Sequence, residues 1–119
     1  MTKADIQETI GVLKIYRSGW ANDIREGWGC AMEGAREIHF ALYEISGSII
    51  FGMQQLLNHD HCEDKMAMVL VSKKLEDLVE SDNFQDFFEL GKAHITNVVT
   101  LATMDHILVM RECLMLLTK

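Results

Sequence analysis

The sequence predicts an all-α protein built as an antiparallel helical bundle, and three observations predict it. Proline is absent from the 119 residues, whereas a β-rich chain of this size would use it with tight glycine turns. Nearly half of the residues are hydrophobic, eight of them methionine, so intrinsic disorder is excluded. Apolar residues also recur at steps of three and four, the period of one helix face. The length suits a single helical domain over 1–119.

The elements follow in order. Thr2 stands three residues before Asp5, the spacing of a capping box. An apolar stripe then runs Ile6, Ile10, Leu13, Trp20, Ile24, Trp28, Ala31, Ala35, Ile38, Leu42, Ile45, Ile49, Met53, Leu56. Only Arg17 breaks this coiled-coil-like rhythm. "RSGWAND" (17–23) offers Ser18 and Gly19 as a stop and Asn22 as a new cap. The stripe therefore reads as a short helix over 3–17 and a long one over 22–57, with one continuous helix over 3–57 as the alternative.

"NHDHCED" (58–64) concentrates two histidines, a cysteine and three carboxylates. Asn58 reads as the end of the long helix. Asp60 reads as the cap of a helix over 61–80, with Glu63 reaching back. The stripe of that helix is Met68, Val71, Leu75, Leu78. "SDNFQD" (81–86) sets Asp82 and Gln85 at capping-box spacing, and the pattern then predicts a last helix over 83–117. The plan is short–long–short–long.

Two features depart from an ordinary bundle. Seven of the eight glycines precede residue 53, and each one inside a helix costs about 1 kcal/mol relative to Ala. Gly27, Ala31, Gly34 and Ala35 would offset this as a small-residue face admitting a close neighbour, or else the glycines bend or end the helix. The last helix is apolar nearly all round, with fifteen hydrophobic residues among the twenty-three from Ile95 to Leu117. Such a helix is either central in the bundle or buries a second face in another subunit or on an apolar surface. Self-association into a homo-oligomer is the expectation, with Leu101, Met104, Leu108 and Met115 at the interface beside Gly27, Ala31 and Gly34.

A net charge of −7 argues against direct nucleic-acid binding, which needs Lys and Arg, and suits a basic protein partner. Glu76, Asp77, Glu80, Asp82, Asp86 and Glu89 place six acids within fourteen residues, which reads as a solvated bundle end complementing a helix N-terminus or, more sharply, as a docking patch for such a partner. The run from Ile38 to Leu57 carries His39, Glu44, Gln54 and Gln55, so no membrane span is expected. The three cysteines, Cys30, Cys62 and Cys113, form no CxxC pair. With no signal-peptide pattern at the start, reduced thiols in the cytoplasm are expected.

Chemistry finds little purchase. No Glu-x-x-His pair, GxSxG, HExxH or phosphate loop occurs. His59, His61, His94 and His106 are the candidate metal ligands, but His59 and His61 lie in a turn and His106 falls on the Ala102, Val109, Cys113 stripe. A lone core histidine is usually hydrogen-bonded rather than ligating. No metal, cofactor or catalytic residue is assigned.

"KKLEDLVESDNFQDFFELGKAHI" (73–95) resembles the phasin segment in which a short helix leads through Ser or Asp into an acidic, Phe/Leu-rich turn. "AMEGAREI" (31–38) is similar to the small-residue helix upstream in that family. The resemblance implies a helical protein that self-associates and lays apolar helix faces on polyhydroxyalkanoate granules. The expected function is therefore a non-enzymatic interaction or assembly protein. A small acidic inhibitor of the immunity or anti-defence type is the alternative, and a metal-dependent bundle enzyme ranks third.

Overall fold

The computed structural model describes residues 2–26, 35–93 and 97–119. Among them are five helices and no strand: α1 (Lys3–Arg25), α2 (Ala35–His59), α3 (Lys65–Glu80), α4 (Asp82–Ala93) and α5 (Asn97–Leu117). The all-α class follows. No helix among the described residues is long and apolar enough to cross a membrane.

Residue pairs across the helices give their directions. Lys3 meets Asp60, Arg17 meets Tyr43 and Asp23 meets His39, so α1 and α2 run antiparallel. Glu76 meets Arg111 and Lys65 meets the Lys119 carbonyl, which sets α3 antiparallel to α5. Helix α1 packs chiefly on α2, while α2, α3, α4 and α5 contact one another. Gly52 marks the tightest approach, because a Cβ there would lie 2.9 Å from Leu117 Cδ1 and 3.1 Å from Met68 Sδ. Glycine at this point lets α3 and α5 close on α2.

The core is the predicted stripe. Ile6, Ile10, Leu13, Trp20, Ala35, Ile38, Leu42, Ile45, Ile49 and Met53 are buried, as are Met68, Val71 and Leu75. Ile24, Leu56 and Leu78 are half-buried. Helix α5 adds Ile107, Met110, Cys113, Leu114 and Leu117. Trp28 and Ala31 lie outside the described residues.

The helix boundaries correct the short–long–short–long plan. Helix α1 runs to Arg25 rather than ending near residue 17. Burying Trp20 at 3% exposure contributes about 2–3 kcal/mol, against about 1 kcal/mol for Gly19 in mid-helix. The packing therefore outweighs the local stop signal. A continuous helix over 3–57 would measure roughly 80 Å at 1.5 Å per residue, against a longest dimension of 43 Å. The same arithmetic divides the expected 83–117 helix, roughly 52 Å long, into α4 and α5. Helix α4 instead turns Phe84 and Phe87 inward, and Phe87 meets the buried His39 ring edge-on at 5.9 Å.

Two caps also differ from expectation, and one does not. Thr2 and Asp5 form the capping box, with Thr2 N donating to Asp5 Oδ2 at 2.9 Å and Asp5 N to Thr2 Oγ1 at 3.2 Å. Asp60, however, adopts φ 60° and ends α2 in the left-handed conformation common after a helix C-terminus. That backbone is not the extended one an N-cap needs, so Asp64 caps α3 by accepting from Ala67 N at 2.9 Å. At α4 the cap is Ser81, whose hydroxyl accepts from Phe84 N at 3.2 Å and donates to Leu78 O. Gln85 donates to Val79 O rather than completing a box with Asp82.

Candidate functional site

Among the described residues eight large hydrophobic side chains are exposed, and five of them lie on two helices: Met66, Val69 and Leu70 on α3, and Leu108 and Met115 on α5. Residues 66, 69 and 70 share one face at helical spacing, and Leu108 and Met115 are seven residues apart on another. The Glu76–Arg111 pair joins the two faces. Val69 lies two turns before Glu76 and Met115 one turn after Arg111, so the antiparallel helices bring both to the same side.

Of the expected interface residues, Leu108 and Met115 are exposed, at 52% and 69%. Met104 is half-buried against the core. Gly27, Ala31 and Gly34 fall outside the described residues, as does the side chain of Leu101. The small-residue face therefore has no structural account.

The acidic residues gather at the α3–α4 corner, but not as equals. Glu76 turns back to the bundle, where Arg111 Nε donates to Oε1 at 2.6 Å and Nη2 to Oε2 at 2.9 Å. These hydrogen bonds hold the Glu76 carboxyl below its ordinary pKa, and they hold Arg111 above its own. Asp77, Glu80, Asp82, Asp86 and Glu89 are exposed. Exposed carboxylates at this corner project negative potential into solvent.

The described histidines separate into two environments, and His94 lies outside the described residues. His59 and His61 are exposed in the α2–α3 turn with rings 6.4 Å apart, and His61 Nδ1 lies 2.6 Å from the His59 carbonyl. Cys62 beside them is buried and donates its thiol to Gln55 Oε1 at 3.2 Å. The turn thus spends its cysteine and Asp64 on structure. Among the described residues no three His, Cys, Asp or Glu converge on a point that would hold a metal ion.

His106 and His39 lie at the other end, about a cleft lined by Tyr16, Trp20, Asp23, His39, Thr103 and His106. His106 stacks on Tyr16 with ring centroids 3.5 Å apart and meets Trp20 edge-on at 5.4 Å. Its Nδ1 is buried without a hydrogen-bond partner among the described residues. Burial lowers the pKa of both imidazoles, against smaller opposing pulls from Asp23 on His39 and Asp105 on His106. Asp23 Oδ2 stands 3.9 Å from His39 Nδ1, beyond hydrogen-bond distance. Burial pushes the Cys113 thiol up to about 11, which makes it a poor nucleophile. His39 is the residue that spacing missed: the dipeptide step in "EIH" does not reveal that α1 supplies an aspartate opposite.

Comparison with family models, curated proteins and solved structures finds no match for this chain. A functional reading accordingly rests on its own surfaces.

Proposed function

We propose that this chain is a non-enzymatic helical assembly protein that self-associates through the apolar faces of α3 and α5. The observation that carries the reading is the exposure of Met66, Val69 and Leu70 on α3 and of Leu108 and Met115 on α5, two helices that Glu76 and Arg111 tie together. Each such side chain contributes about 1.5–3 kcal/mol when buried, so a symmetric contact pairing this side with itself repays the cost of association. Sedimentation velocity across a concentration series tests it. A homo-oligomer is expected, and Leu108→Glu with Met115→Glu should return a monomer of unchanged helix content. A wild-type chain that stays monomeric throughout would sink self-association. If that monomer adsorbed to polyhydroxyalkanoate particles through the same two residues, the face would instead be a granule-coating surface, as the phasin resemblance implies.

The acidic corner supports a second reading, a small inhibitor that masks a basic protein surface. Asp77, Glu80, Asp82 and Asp86 are exposed and enter no ion pair among the described residues. Charge reversal at Asp77, Glu80 and Asp86 should abolish capture of a basic partner without unfolding the bundle. Glu76 is left intact in that variant because its reversal would break the Arg111 pair. Unchanged capture would reduce the corner to a solvated helix junction.

A further inference from the structure

Helices α1 and α3 flank α2 on either side without closing on each other, which leaves a groove of about 1140 Å³ between them. Its apolar floor and wall are Ile50, Met68 and Val71, and the largely exposed Phe51 forms a lip. Arg17 lies in this groove, held from three directions. Its guanidinium carbon stacks 3.7 Å from the Tyr43 ring centroid, and its Nε donates to the Tyr43 carbonyl at 3.2 Å. Gly47 makes the room, because a Cβ there would stand 3.0 Å from Nε and 3.1 Å from Nη2. These contacts occupy one ring face and one of five N–H donors. Among the described residues the terminal nitrogens meet no carboxylate.

Lys14 and Lys74 line the same groove from α1 and α3, and neither enters an ion pair among the described residues. Glu44 and Asp64 are the carboxylates that line it. Three cations against two anions leave a local charge of +1, in a chain whose net charge is −7. A pre-oriented guanidinium fork is matched by a planar carboxylate, and a surplus of one charge suits a monoanion better than a dianion. An apolar floor running past the cation suits an aliphatic chain.

We propose that the α1–α3 groove binds a monoanionic amphiphile, its carboxylate on Arg17 and its aliphatic chain along Ile50, Met68 and Val71. The test is isothermal titration of the full chain with decanoate, with decanol and inorganic phosphate as comparison probes. Decanoate should bind at one site, decanol about tenfold or more weakly, and phosphate without saturation, since the charge-assisted contact and the apolar contact are both needed. Arg17→Gln should weaken decanoate by a similar factor. Because that substitution also removes a contact between α1 and α2, Gly47→Ala provides the independent variant. It leaves the charge in place but displaces the guanidinium, and should weaken decanoate binding with the helix content intact. Lys73→Gln, outside the groove lining, should bind as wild type. Equal affinity for decanoate and decanol, saturable binding of phosphate alone, no decanoate binding, or decanoate binding unchanged by both Arg17→Gln and Gly47→Ala would each overturn the proposal.

Discussion

Arg111 grips Glu76 with both of its forked donors, Nε on Oε1 at 2.6 Å and Nη2 on Oε2 at 2.9 Å. The pair ties α3 to α5 between the apolar side chains of their outward faces, and so sets which residues those faces share. Its side chains are 34% and 46% exposed, which limits what it contributes to stability. Bidentate geometry raises it above a typical surface pair, to about 1 kcal/mol.

Glu76→Gln should therefore cost about 1 kcal/mol near neutral pH. The Glu76 carboxyl is held below its ordinary pKa by the Arg111 hydrogen bond. The folded state thus binds this proton less readily than the unfolded chain. The stabilisation is complete above the unfolded carboxyl's pKa and is lost as pH falls through the lower folded value. Urea unfolding of wild type and Glu76→Gln across that acid range should show the two curves converging. A constant gap at all pH values would mean that the pair's charge contributes nothing.

The buried imidazoles predict a second pH dependence, at higher pH. Burial is the larger cause at both His39 and His106, and it lowers both pKa values; Asp23 and Asp105 oppose it. The unfolded chain then takes up protons that the folded chain resists. Stability is full above the ordinary imidazole value, near 6.5, and declines as pH falls from there through the folded pKa values. The groups packed on His106 include Tyr16 and Trp20, and those on His39 include Phe87 and Asp23. Thermal melts should lose midpoint temperature between neutral and mildly acid pH, and His106→Phe should flatten that slope. An equal slope in His106→Phe would assign the decline to other groups.

How much of this was readable in the sequence depends on whether burial or close approach decides the feature. Leu13, Ile38, Leu42, Ile49, Met53 and Leu75 are each essentially inaccessible, and their three-and-four spacing announced it, because burial on one side imposes that period. The end of α1 was not readable. Ser18 and Gly19 are real local stop signals, and only the packing of Trp20 and the seat of Arg17 on Tyr43 override them. Arg17 stood out as the one break in the stripe, but nothing local shows that Gly47, thirty residues on, makes space for it. The same limit hid His39 and Asp23, which meet only because α1 and α2 run antiparallel. The acidic corner was visible as a cluster, yet the pairing that sets Glu76 apart depends on Arg111 from another helix.

Two glycines separate cost from use. Gly19 is exposed and an added Cβ there meets nothing within 4 Å, whereas at Gly52 it would meet Leu117 and Met68, both buried in the core. Gly19→Ala should stabilise the protein by about 1 kcal/mol through helix propensity. Gly52→Ala gains the same propensity but must displace core side chains, and overpacking of that kind costs about 1–3 kcal/mol. Its net effect should be a loss of about 1 kcal/mol. Chemical denaturation of both variants measures the contrast. A gain in stability at Gly52 would show that α3 and α5 do not need the close approach.

The α2–α3 turn supplies the last prediction, because the cap falls on Asp64 and not on Asp60, where spacing suggests it. Asp64 accepts from Ala67 N at 2.9 Å, so Asp64→Ala should cost about 1 kcal/mol as a lost N-cap. Asp60 instead carries φ 60°, and its 3.6 Å contact with Lys3 is between largely exposed side chains. Such a surface pair contributes little, while glycine adopts positive φ without steric cost. Asp60→Gly should thus be neutral or stabilising by a few tenths of a kcal/mol, although a cap at that position would lose stability. Paired urea midpoints decide it. Equal losses at both positions would restore Asp60 as a cap and overturn the assignment made from backbone conformation.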